Sequence, residues 1–259
     1  MDRSTVSINR DKRRWWLLLV FIAVLLGMWE LIVVTWNIPA YLLPRPSIIL
    51  HTFIDNSRGL MSDLLVTSME SIAGFVLAAF VAFVAAIVFT YSKVMHNLFM
   101  PFFISLKAVP LIAIAPMLVI WFGNGFLSKM VMVSIVCFFP IVVNMTRGLR
   151  DVPQEHIDLF KTLGAKPYQF FLMVRLPNSM PFFFAALKIS SALSVIGAIV
   201  AEFAGANQGI GYVILVAALR TDIPLLFCGT ILASLLGLVL YYTLEVCEPW
   251  CIFWENVDE

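Results

Sequence analysis

Six long apolar runs, at about 15–36, 64–91, 98–122, 127–147, 178–203 and 224–247, leave this chain one class of fold. A helix needs roughly 20 apolar residues to cross a bilayer core, and each run meets that length. Inside hydrocarbon every backbone N–H and C=O must be paired within the segment, so such runs form α-helices. Charged residues are 13% of the 259 and hydrophobic ones 61%, against roughly 25% and 45–50% in a soluble domain. The expectation is an all-α integral membrane protein of six transmembrane helices, with a short ordered cytoplasmic helix between spans 4 and 5.

The chain reads as one domain over 1–259: a tail at 1–14, a six-span bundle at 15–247, a cytoplasmic loop at 151–177 and a second tail at 248–259. The first run is too long for the apolar part of a signal peptide and no small-residue cleavage site follows it, so it reads as a retained span. With the N-terminus inside, eleven of the 17 Lys and Arg fall in cytoplasmic segments and four in outer ones. That bias puts both termini in the cytoplasm. Trp15, Trp16 and Trp36 stand at the ends of the first span, where interfacial anchors belong. The third run contains Pro101, Pro110 and Pro116, and such breaks require protein or a cavity beside them. The outer loop at 37–63 carries Pro39, Pro44 and Pro46 and is expected along the membrane surface. The loop at 204–223 is expected to hold a short apolar helix from Tyr212 to Leu219.

The loop between spans 4 and 5 is both cationic and patterned as helix. Asp151 and Gln154 are spaced as a capping box, with Pro153 in the first turn. Ile157, Phe160 and Leu163 recur on one face, and Gly164 stands where a helix end needs a left-handed residue. Pro167 opens a second short helix, and Pro177 marks the start of the fifth span. A hairpin of this size is too short to catalyse. It has the length either to lay an apolar face into a partner's groove or to rest on lipid as an amphipathic linker.

Glu30, Glu70, Lys107, Lys188, Glu202 and Glu245 fall in or near the apolar runs. A charge at mid-bilayer costs about 2.5–3.5 kcal/mol on the insertion scale, so each must face protein or water. Lys107 and Lys188 either attract an anionic solute or pair with carboxylates. Ser190, Ser191 and Ser194 form a small polar stripe suited to close packing or to a water-facing path. Phe182, Phe183 and Phe184 would suit an aromatic solute, and packing explains them equally. No G-x-x-x-x-G-K-[ST] occurs, so the chain has no P-loop for ATP. The three His are scattered, no zinc-ligand spacing is present, and Cys137 and Cys228 read as small buried hydrophobes.

The stretch Asp158-Leu159-Phe160, three residues, Gly164, nine residues, Val174-Arg175-Leu176-Pro177 resembles the EAA loop of binding-protein-dependent ABC importer permeases. In that family the motif is Glu-Ala-Ala, three residues, Gly, nine residues, Ile-x-Leu-Pro. The spacing is complete, Asp158 for Glu keeps the charge and Val174 for Ile the shape, while Leu159 and Phe160 replace two small residues. LLPRPSIIL, LKAVPLIAIAPMLVIWFG and AEFAGANQGIGYVI are similar, in order, to segments of the nitrate/sulfonate/taurine subgroup.

The resemblance implies a permease subunit without its own ATPase site, in a bacterial inner membrane. It would pair with a second permease copy, two ATPase subunits holding ATP and Mg²⁺, and an external solute-binding protein. Asp158, Leu159, Phe160, Gly164, Val174, Leu176 and Pro177 would couple it to the ATPase. Lys107, Lys188, Ser191, Ser194 and Glu202 would flank the substrate pathway. The solute would be a small anion such as sulfonate or nitrate, or an aromatic vitamin precursor. The alternative is a secondary transporter driven by an ion gradient, for which Glu70 and Glu202 are the available carboxylates and no inverted repeat is found.

Overall fold

The computed structural model describes residues 3–106 and 109–254. It is helical throughout the described residues: α1 Arg3–Thr35, α2 Pro46–Asp55, α3 Ser57–Tyr91, α4 Lys93–Leu106, α5 Leu111–Phe122, α6 Phe126–Arg150, α7 Gln154–Thr162, α8 Pro167–Phe170, α9 Leu176–Phe203, α10 Ile210–Leu219 and α11 Ile223–Cys251. A π-turn, Phe171–Arg175, joins α8 to α9, so Pro167–Phe203 is one continuous rod. Four helices are long and apolar enough to cross a membrane: Ser57–Tyr91, Phe126–Arg150, Pro167–Phe203 and Ile223–Cys251.

The core is built on stripes of residues four apart. On α3 these are Ala78, Ala82 and Ala86, and on α6 Val133, Cys137, Ile141, Met145 and Leu149, all buried. The small α3 stripe lets α6 approach closely, and α9 closes the other side with Ala186, Leu187 and Ala198. Cys137 Sγ donates to the Ser190 carbonyl at 3.3 Å, and Cys228 Sγ to the Ile49 carbonyl at 3.3 Å. A close approach occurs at Gly74, whose carbonyl accepts from Ser134 Oγ at 2.9 Å. A Cβ there would stand 2.6 Å from the Met130 carbonyl and 2.5 Å from Val133 Cβ. Backbone cannot yield as a side chain can, so Gly74→Leu is expected to lower stability by at least about 1–3 kcal/mol. A thermal melt of the detergent-solubilised protein, read by size exclusion, checks this.

Three expectations change. The third span is two helices, not one, broken between Leu106 and Leu111. Pro110 has no N–H and excludes helical backbone at Val109, whereas Pro101 and Pro116 remain inside α4 and α5. Lys107 and the side chain of Trp15 fall outside the described residues. The 37–63 loop folds its own helix, α2, and α3 starts at Ser57 rather than 64. With 35 residues α3 is roughly 52 Å long, beyond the bilayer core. The short helix of the 204–223 loop forms two residues earlier than expected, from Ile210.

Candidate functional site

The loop after α6 is held by Asn178 of α9, whose Nδ2 donates to the carbonyls of Gly148 and Asp151, each at 2.9 Å. Asp151 does not cap α7. It ends α6, its N–H donating to the Arg147 carbonyl at 2.9 Å, and Pro153 precedes α7 with no side-chain cap. Pro153 itself stops the chain in extended backbone, which moves the helix start past the reach of Asp151.

The far end of α7 follows the expectation. Gly164 has φ +66°. Its N–H donates to the Lys161 carbonyl and the Ala165 N–H to the Phe160 carbonyl, each at 3.0 Å. That pair of bonds is a Schellman motif, and it turns the chain into α8. The Lys166 N–H then donates to Gln169 Oε1 at 2.8 Å. The π-turn ahead of Pro177 has a simple cause: Pro177 has no N–H for the ordinary ladder, and widening the turn absorbs the loss.

The motif residues divide by direction. Leu159 is 54% exposed, and Leu163, Tyr168, Leu172 and Met173 are exposed with it. Asp158 is exposed too, bonded by Gln154 Nε2 at 3.1 Å and paired with Lys161 at 3.4 Å. An exposed pair of this kind contributes little to stability. Phe160 turns inward, edge-on to Phe170 with centroids 5.7 Å apart. Val174, Leu176 and Pro177 are half-buried on the bundle side, and Leu176 packs against the main core. Of the two bulky substitutions in the motif, only Leu159 therefore reaches the outward surface.

At the opposite end of the bundle lies a buried polar network. Glu202, fully buried, accepts from Thr67 Oγ1 at 2.7 Å and from the Gly211 N–H. Thr67 Oγ1 accepts from the Ile210 N–H, and Asp63 Oδ1 from the Gly209 N–H, each at 2.8 Å. The first N–H groups of α10 are thus capped by side chains of α3 and α9. Lys129, 2% exposed, donates to the Asn124 carbonyl at 3.0 Å, to Asn124 Oδ1 at 2.7 Å and to the Gly205 carbonyl at 3.2 Å. Its charge also acts on Glu70 and Glu202. Glu70 is 4% exposed and its Oε2 has no hydrogen-bond partner.

The remaining polar positions are also engaged. Lys188 forms an ion pair with Glu248 of α11 at 2.7 Å. Ser191 and Ser194 are buried and donate to carbonyls one turn back, at 2.7 Å each. Phe183 meets Phe83 edge-on at 5.6 Å, and Phe184 is buried, so these rings are used in packing. Asp63, Thr67 and Lys129 were not distinguishable in the sequence, because nothing local to them signals that three helices converge there.

The described residues include no group of three or more His, Cys, Asp or Glu that could hold a metal ion. Residues 74–251 match the family described as binding-protein-dependent transport system inner membrane component. The chain belongs to that family. It is an ABC transporter permease, a multi-pass membrane subunit and not the ATPase. It is 31% identical over 236 residues to the formylaminopyrimidine transport permease protein ThiX of Halalkalibacterium halodurans, covering 89% of this chain and 94% of that one. It is 28% identical over 229 residues to the nitrate import permease protein NrtB of Synechocystis, covering 85% and 83%. Among solved structures, a chain of the inward-facing MetNI methionine ABC transporter superposes with a TM-score of 0.59 over 74% of this chain and 94% of that one. At 17% identity that likeness concerns the fold.

Proposed function

We propose that this permease forms the membrane path of an ATP-driven importer together with a second copy of itself. Two separate ATPase subunits, holding ATP and Mg²⁺, would dock on the 151–177 loop, and an external binding protein would deliver the solute. Both termini would lie in the cytoplasm of a bacterial plasma membrane, with six spans: α1, α3, the α4–α5 pair, α6, α9 and α11. The observation that carries this reading is α7 itself. It has no buried residue, its apolar Leu159 and Leu163 are exposed, and it ends in a left-handed glycine turn at the family's spacing. An apolar helix surface facing water is what a groove-binding element requires.

In this reading Asp158, Leu159 and Gly164 serve the ATPase groove, and Phe160, Val174, Leu176 and Pro177 join the knuckle to the bundle. The span α9 runs beside the pathway with Lys188, Ser191, Ser194 and Glu202, and Lys107 borders it at the α4–α5 break. The solute is a small molecule: an anion such as sulfonate or nitrate, or an aromatic vitamin precursor. Relatives named for nitrate and for formylaminopyrimidine support both classes.

A pull-down of the detergent-solubilised chain tests the assembly. The expected result is a co-purifying P-loop ATPase that hydrolyses ATP and is lost when Leu159 and Leu163 are both changed to Asp. A clean single chain without ATPase activity overturns the reading.

A further inference from the structure

The knuckle touches the bundle through a specific set of rings. Phe160 of α7 stands edge-on to Phe170 of α8. The Arg175 guanidinium lies 5.4 Å from the Phe170 ring centroid and 5.7 Å from that of Tyr91, the last residue of α3. Tyr91 also meets Phe171 at 6.0 Å. Arg175 has no ion pair among the described residues, and its buried Nε has no hydrogen-bond partner. The two ring faces are what hold it, and a planar cation between rings is a contact that lysine or leucine does not reproduce. Since α7, α8 and the π-turn bury no residue of their own, this stack is a principal connection from the knuckle to α3.

The other end of α3 is tied as firmly. Asp63 and Thr67 hold the first N–H groups of α10, and Glu202 holds Thr67 in turn. Between Thr67 and Tyr91 the helix is unbroken and contains no proline, a rod of roughly 36 Å. We propose that α3 is a transmission rod: the Phe160–Phe170–Arg175–Tyr91 stack moves its cytoplasmic end with the knuckle, and the Asp63/Thr67 clamp carries that movement to α10 at the outer surface. Arg175 and Tyr91 are positioning residues. This rests on the proposed docking of ATPase subunits at α7.

The test uses the complex of the full chain with its co-purifying ATPase, with Cys247→Ser and Cys251→Ser in place of the exposed cysteines. A spin label is carried at Leu219→Cys, which is 77% exposed at the end of α10. The distance between labels in the two copies is measured before and after trapping with ATP and vanadate. The unmodified complex and Tyr91→Phe, which keeps the ring, are expected to shift on trapping. Arg175→Leu and Tyr91→Leu are expected to keep the ATPase bound and hydrolysis within about twofold. In them the shifted population should fall roughly tenfold, the scale of losing a ring–cation contact of about 1.4 kcal/mol.

A wild-type shift in both leucine variants overturns the rod. So does loss of the ATPase from Tyr91→Leu, which would make the stack a docking or folding element. Absence of ATPase from the unmodified chain instead refutes the docking reading and the rod with it.

Discussion

Gly164→Val is expected to uncouple the permease from its ATPase and abolish transport without disturbing membrane insertion. The residue sits at φ +66°, where a β-branched side chain is disfavoured by sterics with its own backbone. No heavy atom lies within 4 Å of where a Cβ would stand, so nothing in the bundle is displaced. The cost, about 1–2 kcal/mol, is local backbone strain. It is relieved by opening the two Schellman bonds to Lys161 and Phe160, which re-aims α7 against α8. Since α7 buries nothing, the core stripes on α3, α6 and α9 are untouched. ATPase activity in the pulled-down complex and the melting temperature of the permease alone separate the two effects. An unaltered melt with the ATPase lost or uncoupled is the expected pattern. Normal coupled activity would remove α7 from the coupling assignment. Asp158→Ala, at an exposed pair, is expected to shift stability by less than about 1 kcal/mol.

Lys129→Met is expected to have the largest effect on stability. The substitution removes a buried cation bonded to Asn124 Oδ1 at 2.7 Å. It also leaves the Asn124 and Gly205 carbonyls without the donor they share. Leaving these buried acceptors without their donor costs about 1–3 kcal/mol each. The expected outcome is a sharp fall in melting temperature or failure to accumulate folded protein. Glu70→Gln should be far milder. It keeps the shape, removes one of two neighbouring carboxylates, and Glu70 Oε2 makes no hydrogen bond that would be lost. If Lys129→Met melts like the unmodified chain, the buried polar network does not hold α10 in place.

Much of the architecture was legible from residue order, and the reasons are specific. Four of the six apolar runs fall in helices long and apolar enough to cross a membrane, because a helix satisfies its own backbone, whatever surrounds it. Gly164 was legible because only backbone strain within a few residues is at issue. The short helix Ile210–Leu219 and the buried cysteines followed from equally local patterns. Asp151 was misread as a helix cap because a capping-box spacing does not reveal that Pro153 delays the helix. The third span was read as one helix because three prolines look alike in a sequence. Only at Pro110 does the chain lose its helical bonds.

The family motif was visible in the spacing, but its division into two directions was not. That Leu159 faces outward while Phe160 turns to Phe170 depends on where α8 folds back. The same holds for Lys188, whose carboxylate partner, Glu248, lies 60 residues along the chain. The buried polar network is the extreme case: Thr67 and Glu202 are 135 positions apart, and Lys129 bonds to Gly205, 76 positions away, from a third helix. Membrane class, spans and the glycine turn are set by interactions within a few residues, so they can be read in order along the chain. Which buried charges meet, and which face of the knuckle is free, is set by how separate helices pack, and helix packing has no signature in any one segment.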